Sequence, residues 1–182
     1  MRFRLATYSF CLSIGIALGL LSIPAHAEKA DKDKPIALSS DKAQFDDVKQ
    51  IYYLERNVLL IKGSLIIKGE KAEVKIDPEG YQYVTIFAKP GELASLRQKR
   101  DTGFNDFIEG FAELIEYDGK TEIAILQKQA RMNQISGTRV TDQLNGDKIH
   151  YDGNAEKYNV VSKASVKSTL SPRRKELTGP SK

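Results

Sequence analysis

Cysteine and tryptophan are nearly missing from this chain: among 182 residues Cys11 is the only cysteine, and there is no tryptophan. The two histidines are His26 and His150. Cys11 and His26 both belong to the N-terminal 27 residues, which read as a removable segment. Residues 28–182 therefore hold no cysteine and one histidine. Disulfides, thiol catalysis and cysteine-based metal sites are excluded for that part. It also lacks a serine nucleophile motif, a glycine-rich phosphate loop and a cluster with metal-ligand spacing. The "DKD" at residues 31–33 resembles a fragment of a calcium loop but lacks the glycine and the distal glutamate. A single-sign charge excess is absent as well. Without Arg2 and Arg4 the balance is 26 basic against 24 acidic residues. A basic stripe with interleaved aromatics is missing too, so nucleic acid is not an expected partner.

What is present at the N-terminus is a positive n-region at Arg2 and Arg4, an apolar run from Phe10 to Ile23, and Ala25-His26-Ala27. That order reads as a secretory signal peptide spanning 1–27 and cleaved after Ala27. The run is shorter than the roughly 20 residues of a spanning helix and contains Ser13 and Ser22. No cysteine follows Ala27 to take a lipid. No later stretch is long and apolar enough to span a bilayer. A flexible charged leader is expected at 28–34, one domain at 35–170, and a flexible basic tail at 171–182. In the tail Pro172, Gly179 and Pro180 oppose regular structure, while Arg173, Arg174, Lys175 and Lys182 face only Glu176. The tail serves solubility, or it meets anionic groups.

Between those ends the pattern is that of strands. "AQFDD", "GYQYVTIFAKP", "AELIEYDG", "GDKIHYDG" and "EKYNVVSKASVKS" alternate apolar with charged residues and are bounded by Gly, Asp, Asn or Pro. The most helix-like stretch is "PGELASLRQKR", with Leu93 and Leu96 at i and i+3, but it is short and uncapped. Little or no helix is expected.

One short chain writes "IEYDG" at 115–119 and "IHYDG" at 149–153, 34 residues apart. At that shift Leu126 falls over Val160 and Ala130 over Ala164. At a shift of 72, Phe45 falls over Tyr117, Asp46 over Asp118 and Leu54 over Leu126. The recurring starts are "SDKAQF", "GEKAEV", "AELIEY" and "GDKIHY", spaced by 29, 43 and 34 residues. The unit is a small residue, an acidic residue, then an inward aromatic or branched side chain. Such a strand–turn–strand unit cannot bury its apolar face alone, and stacked copies make a continuous core. Asp118-Gly119 and Asp152-Gly153 are hairpin signals, and their aspartates read as turn chemistry. A catalytic reading stands beside this one. Glu113, Glu116 and Asp118 could supply a carboxylate pair to a glycan hydrolase, and His150 a base. Alternation places Glu116, Asp118 and His150 on the polar face instead.

Taken in order, "DKPIALSSDKAQFD", "RNVLLIKGSLIIKGEKAEV", "AKPGELASLRQ", "IEGFAELIEYD" and "LNGDKIHYD" resemble the OstA-like family of periplasmic lipopolysaccharide-transport proteins over roughly 35–170. The resemblance implies an all-β fold, an open twisted β-jellyroll of antiparallel strands built from irregular repeats, with a hydrophobic groove. It implies no catalysis and no cofactor. It implies lipopolysaccharide as ligand, through its lipid A acyl chains, and self-association head to tail into a bridge between inner and outer membranes. The implied partners are an LptC-type inner-membrane protein and the N-terminal domain of an LptD-type outer-membrane protein. An LptC-type protein is itself the nearest alternative, and it would keep its N-terminal segment as an anchor. Groove and core lining is expected from Ile36, Leu38, Phe45, Ile67, Val74, Ile76, Ile86, Leu93, Ile115, Tyr117, Ile125, Ile149 and Tyr151. Among these, Ile36, Leu38, Leu93, Ile115 and Tyr117 match family positions in or near the groove. Arg56 stands where the family commonly has glycine, and Lys62 where it has glutamine.

Overall fold

The computed structural model of the protein describes residues 34–103 and 105–172. The expected signal peptide, the expected leader apart from Lys34, and residues 173–182 of the expected tail lie outside the described residues. Twelve strands follow one another: β1 (Ile36–Ser39), β2 (Lys42–Asp46), β3 (Ile51–Lys62), β4 (Leu65–Ile76), β5 (Gln82–Phe87), β6 (Ala94–Lys99), β7 (Asp106–Ala112), β8 (Leu114–Asp118), β9 (Ile123–Ser136), β10 (Arg139–Asp152), β11 (Lys157–Val161) and β12 (Lys167–Leu170). No helix occurs among the described residues. The helix-like stretch becomes β6, because pairing to β4 and β7 buries Ala94, Leu96 and Gln98 on one side. Period-2 burial outweighs a local i, i+3 pair.

All pairings are antiparallel, and they build two walls that share their longest strands. One wall runs β1-β3-β4-β6-β7-β9-β10-β12. The other runs β2-β3-β4-β5-β8-β9-β10-β11. Strands β3, β4, β9 and β10 belong to both, so each must bend where it leaves one wall for the other. Two of the bends use left-handed backbone: Arg56 and Asn57 at φ 62° and 50°, and Lys128 and Gln129 at 63° and 52°. The ladder slips at the first of them between Glu55 and Val58. These pairs are themselves 72 residues apart, so the repeat includes its bend. β10 slips between Gly146 and Lys148.

The small residue that opens three of the four copies now has a reason. A Cβ on Gly69 would stand 2.4 Å from Ile86 Cγ2 and 2.9 Å from the Phe87 carbonyl oxygen. On Gly146 it would stand 2.7 Å from Val160 Cγ1 and 2.9 Å from the Val161 carbonyl oxygen. At these two corners there is no space for a side chain. Ala112, in the same place of a third copy, is fully buried.

The turns also repeat. Asp46 Oδ1 accepts the Lys49 N–H at 3.0 Å, Asp118 Oδ1 accepts Lys120 N–H at 2.8 Å and Thr121 N–H at 3.2 Å, and Asp152 Oδ1 accepts Ala155 N–H at 2.9 Å. Each turn ends on a residue of positive φ: Gln50 at 55°, Glu122 at 58° and Glu156 at 50°. The duplicated aspartates are therefore turn acceptors, as their sequence context implies. The hairpins β2–β3, β8–β9 and β10–β11 are the repeated units.

Candidate functional site: an apolar interior between two walls

Cross-strand registers assemble the inward side chains into rows that cross the whole molecule. In the second wall one row reads Phe45, Tyr52, Val74, Val84, Tyr117, Ala124, Tyr151 and Tyr158. The row beside it reads Ala43, Leu54, Ala72, Ile86, Ile115, Leu126, Ile149 and Val160. In the first wall a row runs Leu38, Leu60, Ile67, Leu96, Gly110, Met132 and Leu144. No charged residue interrupts any of the three. In the middle of the rows the side chains are at most 5% exposed. Fully burying each Leu, Ile or Val contributes roughly 1.5–3 kcal/mol.

Most of the expected lining residues face this interior. Ile67, Val74, Ile86, Ile115, Tyr117, Ile149 and Tyr151 are buried, and Ile36 and Leu38 are half-buried against the core. Ile76 is half-buried at the end of β4, on the same side as Val74. Phe45 is on the inward row but remains 42% exposed, because β2 is an edge strand; Tyr52 stacks on one face of its ring, centroids 4.2 Å apart. Two expectations are corrected. Ile125 faces outward: it pairs with Glu116 and His150, and its neighbours Ala124 and Leu126 take the inward places. Leu93 precedes β6 and lines two hollows along the bend, away from the rows.

Sequence reasoning missed Leu54, Leu60, Val84, Leu96, Ile108, Leu126 and Met132, all at most 3% exposed. For Leu126 the signal was available, since the 72-residue shift places it over Leu54. It also missed the polar rim. On the side opposite the bends, two cations of the first wall reach turns of the second. Lys62 is 2% exposed, and its Nζ comes within 3.4 Å of where a Cβ on Gly119 would stand. Arg100, just past β6, donates from Nη2 to Glu156 and from Nη1 to Gln134 Oε1 at 3.2 Å. Burial pulls the Arg100 pKa down, the hydrogen bond and charge of Glu156 push it up, and the net displacement is upward.

The candidate catalytic carboxylates are engaged elsewhere. Glu116 accepts from Gln127 Nε2 at 2.5 Å, Glu113 from Gln129 Nε2 at 2.8 Å, and Asp118 from the turn amides. Glu116, Asp118 and His150 do share the rim of a shallow hollow of about 390 Å³, but it lies on the outer face with Ile125. No group of three or more potential metal-ligating side chains occurs among the described residues.

Both walls end in edge strands paired on one side only among the described residues, β1 and β2 at one end and β11 and β12 at the other. The molecule is thus a β-jellyroll of hairpin repeats whose apolar interior runs from one open edge to the other. Family comparison places it further. Residues 37–157 match the model of the LptA/(LptD N-terminal domain) LPS transport protein family, and the chain belongs to that family. It is 28% identical over 151 residues to the lipopolysaccharide export system protein LptA of Escherichia coli K12, covering 83% of this chain and 77% of that protein. It is 26% identical over 163 residues to LptH of Pseudomonas aeruginosa, covering 89% and 87%. The crystal structure of LptH, described as the LptA-homologous periplasmic component of the lipopolysaccharide transport device, superposes with a TM-score of 0.70 at 22% identity. That match covers 78% of this chain and 99% of LptH.

Proposed function

We propose that the protein is a periplasmic lipopolysaccharide-binding transport protein, exported by a signal peptide cleaved after Ala27, that carries lipid A acyl chains between its two walls. It works without catalysis, and it joins end to end to bridge the inner and outer membranes. The observation that carries this reading is the uninterrupted inward row from Phe45 to Tyr158, apolar or aromatic at every place and open at both edges. Each buried methylene of an acyl chain contributes roughly 0.8 kcal/mol. Because successive places along the row are chemically alike, a chain can slide between them without returning to water.

The open edges favour assembly by strand addition, a heterologous contact that does not close. Self-association joins β11 and β12 of one copy to β1 and β2 of the next. An LptC-type protein and the N-terminal domain of an LptD-type protein are the partners that end the row on either side. Photo-crosslinking side chains placed at Leu38 and Tyr117 test the interior path in cells. The expected result is lipopolysaccharide attached at both positions; attachment only at the outward Ile125 control would defeat the interior path.

A further inference from the structure

The repeat places Glu122 and Glu156 at equivalent points, each ending a turn at positive φ. Each turn is met from the opposite wall by one cation, the buried Lys62 at the 119–122 turn and the half-buried Arg100 at the 153–156 turn. These cations stand on strands β3 and just past β6, which are separated only by β4. Two steps of about 4.8 Å put Lys62 about 10 Å from its counterpart Gln98 across the ladder, and Arg100 follows two residues beyond Gln98.

Arg100 is not fully used by its catch. Nη2 serves Glu156 and Nη1 serves Gln134, while Nε is buried without a partner. Nε and Nη2 form one edge of the guanidinium fork, the edge that fits a phosphate or carboxylate bidentately. Beside it opens a hollow of about 460 Å³ lined by Arg100, Arg139, Thr102 and Thr141 among others. Its two carboxylates are already engaged, Asp106 by Thr102 Oγ1 at 2.9 Å and Asp142 by the Ser171 N–H at 3.3 Å.

We propose that Arg100 and Lys62 form a head-group site for an acylated sugar bearing phosphate monoesters, in which one phosphate takes Arg100 from Glu156 and a second meets Lys62. With Asp106, Asp142 and Glu156 nearby, the local field opposes a free anion, so the phosphate is held only when acyl chains anchor it. This site rests on the lipid-carrier reading above.

The test measures binding of acylated glucosamine disaccharides carrying two, one or no phosphates, with inorganic phosphate alone as a further arm. The unaltered chain is expected to favour the bisphosphorylated form by about tenfold or more over the dephosphorylated one, a difference of about 1.4 kcal/mol. Arg100→Gln should erase most of that preference and leave affinity for the dephosphorylated form unchanged, and Lys62→Gln should erase the part due to the second phosphate. Glu156→Gln, which frees Arg100, should strengthen binding of phosphorylated forms. A parallel loss for all forms in Arg100→Gln overturns the site, because it marks a structural role. So does an unchanged phosphate preference, or binding of inorganic phosphate alone that Arg100→Gln abolishes. If the unaltered chain binds every form equally, the site falls and the carrier reading stands; if it binds none, both fall.

Discussion

Ile125 and Leu126 are adjacent and similarly apolar, yet the register of β8 and β10 turns one outward and the other fully inward. Leu126→Ala is expected to cost roughly 2–5 kcal/mol, the transfer loss plus the cavity left behind. Ile125→Ala should cost about 1 kcal/mol or less. Urea denaturation of both variants checks the contrast. Arg56 is informative for another reason. Held at φ 62°, it carries the steric penalty that glycine avoids, of roughly 1–2 kcal/mol. Its ion pair with Asp41, 3.6 Å apart and exposed on both sides, offsets little of that. Arg56→Gly should raise stability by up to about 1 kcal/mol after the entropy of a glycine is subtracted, read as a higher midpoint in the same titration. Among the acids, Asp77 has a lowered pKa: burial raises it, but the amides of Tyr81 and Glu79 and the Tyr83 hydroxyl outweigh that. For Asp46 the Lys49 amide is the main cause of lowering. Their contributions to stability are complete above the ordinary value of 3.8 and vanish as pH falls through the lower folded values. Thermal melts should therefore stay flat above about pH 5 and drop below pH 4. Asp77→Asn should show a smaller drop than the parent chain.

At the scale of the element, the hairpin is the unit and its corner is the constrained point. Gly146→Ala drives a methyl group into the Val161 carbonyl and Val160. A cost of about 1–3 kcal/mol is expected, with β11 loosened first. Hydrogen exchange at the Val160 and Val161 amides would reveal it; protection equal to that of the parent chain would mean that the corner has slack. The turns were legible in the sequence because Asp-Gly after an aromatic residue is a local signal that needs only its own amides. The bends were not. Arg56-Asn57 and Lys128-Gln129 are ordinary polar pairs, and only the geometry of two walls sharing one strand makes them left-handed. β6 was ambiguous for the same reason: its period-2 burial exists only when β4 and β7 lie beside it.

For the whole molecule, the decisive feature is what stays open. Val161 is 58% exposed and Leu170 is 70% exposed on the two terminal edge strands. Exposed strand edges bearing apolar side chains are an aggregation liability unless a partner covers them. On the proposed end-to-end assembly, Val161→Asp should lower association without changing the monomer's melting temperature. Light scattering over a concentration series separates those outcomes, and unchanged assembly would place the contact elsewhere.

The sequence by itself determined the strand-rich class, the repeat, the turn aspartates and the inward aromatic of each hairpin, because alternation and turn chemistry act over a few neighbouring residues. Only the tertiary structure decided that Ile125 faces out, that the small residues mark corners, and that Lys62 and Arg100 close the rim opposite the repeated turns. Those facts depend on which strands lie side by side, and a residue's partner across a ladder can be dozens of positions away in the chain.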